Sequence, residues 1–153
     1  MKKITFIGLG VMGYPMAGHL SKKGYDVSVY NRSEEKSKQW VDQNIGNYST
    51  SIKEAVTDSD VVFSCVGNDS DLRDITLGND KAFSAMKAGS FFVDHTTTSS
   101  DIAVELHEKA KENSLHFLDA PVSGGEVGAV KGELTVMIGG EDSIFDNIKP
   151  IIA

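Results

Sequence analysis

The chain has 153 residues, 40% of them hydrophobic and 24% charged, with 15 basic against 22 acidic side chains and a formal charge of −7. That is enough apolar material for one domain with one sizeable core. The acidic balance argues against nucleic acid or an anionic membrane surface as a general partner, although an acidic chain still has room for a local basic pocket. The single cysteine, Cys65, lies in a strand-like apolar run and has no partner for an internal disulfide. The N-terminal lysines precede no long apolar region, so neither a signal peptide nor a membrane span is expected, and a reducing, cytoplasmic setting is the default.

The first predicted element is a strand, Lys3-Ile4-Thr5-Phe6-Ile7, which runs straight into Gly8-Leu9-Gly10-Val11-Met12-Gly13. A G-x-G-x-x-G turn between a buried strand and a helix, here spanning 12 to about 23, is what a dinucleotide needs. The first glycine makes the turn, the second lets a pyrophosphate approach the backbone, and the third lets the helix pack close on the strand. The helix N-terminus offers unpaired N–H groups and positive dipole to the phosphates. The plainer alternative is a turn that is merely glycine-rich.

Gly24 stops that helix, and Asp26-Val27-Ser28-Val29-Tyr30 reads as the second strand. A cofactor with a free 2′-hydroxyl is normally held at the end of this strand by a carboxylate about 20 residues beyond the glycines. The chain has Asn31-Arg32-Ser33 there instead, with Lys36 and Lys38 following. A guanidinium and a hydroxyl suit a 2′-phosphate, so NADP(H) is expected in preference to NAD(H). Arg32 is one of only two arginines in the chain, the other being Arg73, which sets this reading above that of an ordinary surface charge.

Strands and helices then keep alternating: a helix over 34–44, a short one over 52–57, a strand over 60–66, a strand over 90–94, a helix from a Thr98 or Ser99 cap to 113, and a strand over 116–119. The segments 69–77 and 81–87 are less clear. This alternation predicts an α/β, Rossmann-type doubly wound, mainly parallel sheet with helices on both faces. Ligands of such sheets lie beyond the carboxyl ends of the strands. The residues there are Val66-Gly67-Asn68-Asp69, Thr96-Thr97-Thr98 and Pro121-Val122-Ser123-Gly124-Gly125. The first group is suited to meet the cofactor through its backbone and the second offers hydroxyls, although turn-shaping and helix-capping account for the same residues. Six of the fifteen glycines, at 124, 125, 128, 132, 139 and 140, crowd the stretch around the apolar run 134–138. Ser123 followed by two glycines suits a small concavity that takes a carboxylate.

Together, Gly8-Leu9-Gly10-Val11-Met12-Gly13-Tyr14-Pro15-Met16-Ala17, Asn31-Arg32-Ser33, Asp94-His95-Thr96-Thr97 and Asp119-Ala120-Pro121-Val122-Ser123-Gly124-Gly125 resemble the β-hydroxyacid dehydrogenases. That family includes 3-hydroxyisobutyrate dehydrogenase and 6-phosphogluconate dehydrogenase. The resemblance implies that Gly8, Leu9, Gly10, Val11, Met12 and Gly13 hold the pyrophosphate and that Val66, Gly67 and Thr97 line the nicotinamide half. It further implies that Ser123, Gly124 and Gly125 hold the carboxylate of a small acid, and that Tyr30-Asn31-Arg32 marks the NADP-preferring branch. Hydride transfer would run between the nicotinamide and a 3-hydroxy acid or its semialdehyde. No metal is called for.

Two departures from the family pattern stand out. His19 occupies a position that is usually asparagine, and the family's lysine, set in a glycine-rich helical motif, has no counterpart here. Lys131 and Lys149 lack the motif around them, and a lone histidine such as His95 is more often structural. The expectation is therefore a cofactor-binding domain, 1–153, of a longer two-domain enzyme, whose acid/base lysine lies beyond Ala153 and whose helical domain is where a homo-oligomer would form. An imine reductase and a non-catalytic NADP(H)-sensing module are the alternatives.

Overall fold

The computed structural model describes residues 2–139 and 142–152; Gly140 of the glycine-rich stretch lies outside them. Six strands form one parallel sheet: β1 (Lys3–Ile7), β2 (Asp26–Tyr30), β3 (Asn47–Tyr48), β4 (Val61–Ser64), β5 (Phe91–Asp94) and β6 (His116–Asp119). Their order is β3-β2-β1-β4-β5-β6, and every adjacent pair is parallel. The doubly wound sheet expected from the alternation is therefore what forms.

The strands read as unbroken apolar runs because helices cover both faces. With a side-chain period of two, Ile4, Phe6, Val29, Phe63, Val93 and Leu118 fall on one face. They pack there with Ala17 and Leu20 of α1 (Gly13–Lys22), Trp40 of α2 (Glu34–Gln43) and Ile144, Ile148 and Ile151 of α8 (Asp142–Ile152). Ile7, Val62, Phe92 and Phe117 fall on the other, against α3 (Ile52–Val56), α5 (Ala82–Ala85) and α6 (Ser100–Glu112). α4 (Asp69–Thr76) contributes Leu72 to that second face.

Some elements resolve what the sequence leaves open, and others depart from its reading. The segments left unclear at 69–77 and 81–87 are the helices α4 and α5. Asn68 starts the first of these by accepting the Asp71 N–H at 2.9 Å, and Ser99 rather than Thr98 caps α6 by accepting the Ile102 N–H at 3.3 Å. The strand expected over 60–66 is shorter, because the Val66 N–H leaves the ladder for the Thr96 hydroxyl at 3.0 Å. The run 134–138 supplies only β8 (Thr135–Val136), which pairs antiparallel with β7 (Val122–Ser123). Between them lies α7 (Gly125–Lys131), an unforeseen helix closed by Gly132 in a left-handed conformation (φ +71°). α8 was also unforeseen; its isoleucines at i, i+4 and i+7 give it a buried stripe. Among the described residues no helix is long and apolar enough to cross a membrane.

Candidate dinucleotide and carboxylate sites

β2 and β4 flank β1 on opposite sides, so the chain's direction of winding reverses at β1 and a crevice opens beyond the ends of β1 and β4. The three loop glycines occupy that crevice for different reasons. Gly8 has φ +98°, and a Cβ there would sit 2.2 Å from the Cys65 carbonyl oxygen on β4's extension. A Cβ on Gly13 would sit 1.9 Å from the Gly8 carbonyl oxygen. The packing of the chain on itself thus demands both. A Cβ on Gly10 would meet nothing within 4 Å, and its φ is not positive. No protein contact accounts for a glycine there, whereas a ligand seated against the backbone would.

The start of α1 is arranged to receive an anion. Met12 at the N-cap makes no side-chain hydrogen bond to the helix, and no acidic residue lies in the first turn. The Tyr14 N–H donates to the Gly10 carbonyl at 3.0 Å and Pro15 has no N–H, so the Gly13 amide and the helix dipole are what remain for a negatively charged group. Leu9 is buried and its N–H donates to Asn31 Oδ1 at 2.9 Å, while Asn31 Nδ2 donates to the Ser33 carbonyl at 3.0 Å. Asn31 therefore braces the glycine loop against the end of β2 with both ends of its amide. Val11 is exposed.

Arg32 and Ser33 are exposed at the end of β2. Arg32 has no ion-pair or hydrogen-bond partner among the described residues, and Ser33, the N-cap of α2, keeps its hydroxyl out of the cap. Of the nearby lysines, Lys38 lies 4.0 Å from Glu34, whereas Lys36 sits over the Tyr14 ring at 5.9 Å. An uncommitted guanidinium and a hydroxyl thus share one strand end, just ahead of Glu34 and Glu35 in the first turn of α2.

Across the crevice, Val66 and Gly67 follow β4, and Thr97 is exposed after β5. A Cβ on Gly67 would fall 2.6 Å from Asp71 Oδ2, the movable end of a partly exposed side chain. Asp69 accepts the Ser99 N–H and hydroxyl, tying the loop after β4 to the loop after β5. Ser123, Gly124 and Gly125 are all exposed, with positive φ of 130° and 61° at the two glycines. A Cβ on Gly125, the first residue of α7, would meet open space.

Three titratable groups near these loops have strongly shifted behaviour. Burial pushes the Cys65 thiol up to about 11, with the Asp94 charge adding to it, which leaves it protonated and unreactive near neutrality. Burial pushes the Asp94 carboxyl up to about 6, against support from the Thr96 and Ser64 hydroxyls and the Thr96 amide. Burial lowers the His95 imidazole to about 4. His95 donates from Nδ1 to the Ala120 carbonyl at 2.7 Å and stacks on Phe63, 5.6 Å between ring centres. A neutral ring fixed in this way acts as a packing and hydrogen-bonding group, in line with the structural reading of a lone histidine. With Phe6 and Phe63 it floors a cavity of about 350 Å³ on the α1 face, whose walls include His19, Lys131 and Ile151.

Residues 3–153 match the family described as the NAD binding domain of 6-phosphogluconate dehydrogenase. The chain belongs to this family. This 6-phosphogluconate dehydrogenase-type domain is 52% identical over 153 residues to an uncharacterized oxidoreductase of Shewanella frigidimarina, covering all of this chain and 53% of that one. It is 39% identical over 150 residues to a probable 3-hydroxyisobutyrate dehydrogenase-like protein of Arabidopsis thaliana, covering 98% of this chain and 50% of that one. Mycobacterium tuberculosis 3-hydroxyisobutyrate dehydrogenase, solved with L-serine, superposes with a TM-score of 0.93 at 31% identity, over 99% of this chain and 51% of that one. An imine reductase from Pseudomonas sp., at 20% identity and a TM-score of 0.83, shares the fold. The chain spans about half the length of the relatives it matches. The family members are oxidoreductases, and this domain is of their NAD(P)-binding type.

Proposed function

We propose that residues 1–153 bind NADP(H) in preference to NAD(H), as the cofactor domain of a longer 3-hydroxyisobutyrate dehydrogenase-like enzyme acting on a small 3-hydroxy acid or semialdehyde. The observation that carries the binding site is Gly10, whose missing side chain leaves a cradle that nothing in the protein fills. Around it, the Gly13 amide and the dipole of α1 take the pyrophosphate. Arg32 and the Ser33 hydroxyl take the 2′-phosphate, with Lys36 adding positive charge from α2. Val66, Gly67 and Thr97 border the nicotinamide half, and the Ser123 hydroxyl with the amides of Gly124 and Gly125 holds the substrate carboxylate.

When bound, the nicotinamide supplies or accepts the hydride. The chain's own residues bind and orient the two reactants and bring them to one end of the sheet. Neither His95 nor Cys65 is poised to move a proton at neutral pH, and the resemblance to the β-hydroxyacid dehydrogenases assigns the acid/base work to a lysine that has no counterpart in this chain. The single thiol suits a cytoplasmic setting.

Titration calorimetry on the 153-residue chain tests the cofactor reading. One charge-assisted contact of about 1.5–3 kcal/mol predicts roughly 10- to 150-fold tighter binding of NADPH than of NADH. Arg32→Asp should cancel or reverse that preference. Equal affinities in the unmodified chain would refute it. Turnover of a 3-hydroxy acid by the longer protein, tested beside imines, separates a hydroxyacid enzyme from an imine reductase and from a sensor without turnover.

A further inference from the structure

The C-terminal end of the sheet carries a polar row that none of the roles above employs. Ser64, Asp94 and Asp119 lie side by side in register on β4, β5 and β6. Asp94 is 1% exposed, on the face where Phe92 and Phe117 form the apolar core. A carboxylate in such a place is costly unless donors converge on it. Here the Ser64 hydroxyl donates to Oδ1 at 2.7 Å and the Thr96 N–H donates to the same oxygen at 3.1 Å. The Thr96 hydroxyl also supports the carboxylate. That hydroxyl's oxygen in turn accepts the Val66 N–H at 3.0 Å, the amide that leaves the β4 ladder.

We propose that Asp94 is a positioning residue for the nicotinamide half of the dinucleotide. It fixes Thr96, the Thr96 hydroxyl fixes the Val66 amide, and the turn at Val66 and Gly67 is thereby held beside the ring together with the exposed Thr97 hydroxyl. A carboxylate suits the task because it accepts several hydrogen bonds at once and brings no donor of its own into the apolar face. The inference rests on the dinucleotide reading above and adds to it the group that shapes the nicotinamide wall. The glycine loop and the end of β2 do not depend on this relay, since Gly8 and Leu9 donate instead to the Tyr30 carbonyl and to Asn31.

The test compares two ligands on the 153-residue chain by titration calorimetry. One is whichever of NADPH or NADH binds more tightly; the other is its adenosine half alone, adenosine 2′,5′-bisphosphate or ADP. Thr96→Val removes the hydroxyl at nearly constant volume. It should weaken the dinucleotide by about 10-fold or more while leaving the adenosine half within about 2-fold. Thr96→Ser, which keeps the hydroxyl, should restore the dinucleotide affinity. Asp94→Ala should repeat the selective loss, and the rise in NAD(P)H fluorescence on binding should shrink in both damaging variants as the ring becomes mobile. Equal weakening of both ligands, as a general loosening of the sheet would give, overturns the proposal. So does unchanged dinucleotide affinity in Thr96→Val, whether or not Asp94→Ala folds. Failure of the unmodified chain to bind any dinucleotide removes the underlying reading instead, and with it this inference.

Discussion

The two sides of the crevice are built in different ways. On the β1–α1–β2 side, the shape comes mostly from residues near one another in sequence: a Cβ on Gly13 would strike the Gly8 carbonyl, and one amide, Asn31, spans the short gap between loop and strand end, while Gly8 alone is pinned from across the crevice by the Cys65 carbonyl. On the β4–β5–β6 side, it comes from side chains far apart in sequence. Asp94 is joined to Ser64 thirty residues away, Thr96 to Val66, and Asp69 to Ser99. The first side is a local backbone mould, and the second is a hydrogen-bonded assembly that exists only once the sheet has formed.

The largest expected effect breaks the mould. Gly13→Ala places a Cβ against the Gly8 carbonyl, which neither backbone can vacate cheaply. It should cost about 3 kcal/mol or more and lower the thermal midpoint by roughly 6–12 °C. A midpoint unchanged in a thermal melt would mean that the helix does not press on the turn.

Two buried groups on the assembled side give opposite pH signatures. Asp94 titrates near 6 when folded against 3.8 as its ordinary value, so the folded state holds the extra proton between those limits and this group's stability is lost as pH rises from about 4 to 6. His95 titrates near 4 against 6.5, so its contribution is present above 6.5 and lost as pH falls toward 4. Each shift corresponds to about 3 kcal/mol, and the two slopes oppose each other through the same window. Denaturant unfolding at pH 4, 5, 6 and 7 should show Asp94→Asn gaining on the parent as pH rises, and His95→Gln gaining on it as pH falls. Parallel curves for parent and variants would show that neither group is perturbed.

A smaller effect concerns the link between the two sides. His19 of α1 contacts the Ala129 and Val130 carbonyls at the end of α7, at 2.9 and 3.0 Å through Nε2. His19→Ala should destabilise by about 1 kcal/mol, with faster amide hydrogen exchange concentrated in α7. Uniform exchange changes across the sheet would contradict this tether.

The contrast between the two sides also explains what was legible in the sequence. Gly8, Gly10 and Gly13, the strand runs and the missing carboxylate at Asn31-Arg32-Ser33 are local signals, and the sheet order follows from the regular alternation. Asp94 was visible as a strand-terminal residue and a member of the Asp94-His95-Thr96-Thr97 motif, but not as a hydrogen-bonding hub, because Ser64 meets it only through strand register. α7 was obscured by Gly125, Gly128 and Gly132, which read as turns. In the fold the first two sit within the helix, Gly128 buried, and only Gly132 ends it. The two-residue β3 carries no periodicity to detect.

The most direct measurement of the account is titration calorimetry of NADPH against Gly10→Val beside the unmodified chain, with thermal melts of both. Because the space at Gly10 is empty of protein, the variant should melt with the parent and bind no dinucleotide, NADPH or NADH. A variant that melts with the parent and still binds NADPH with the parent's affinity would contradict the claim that the phosphates lie on this loop.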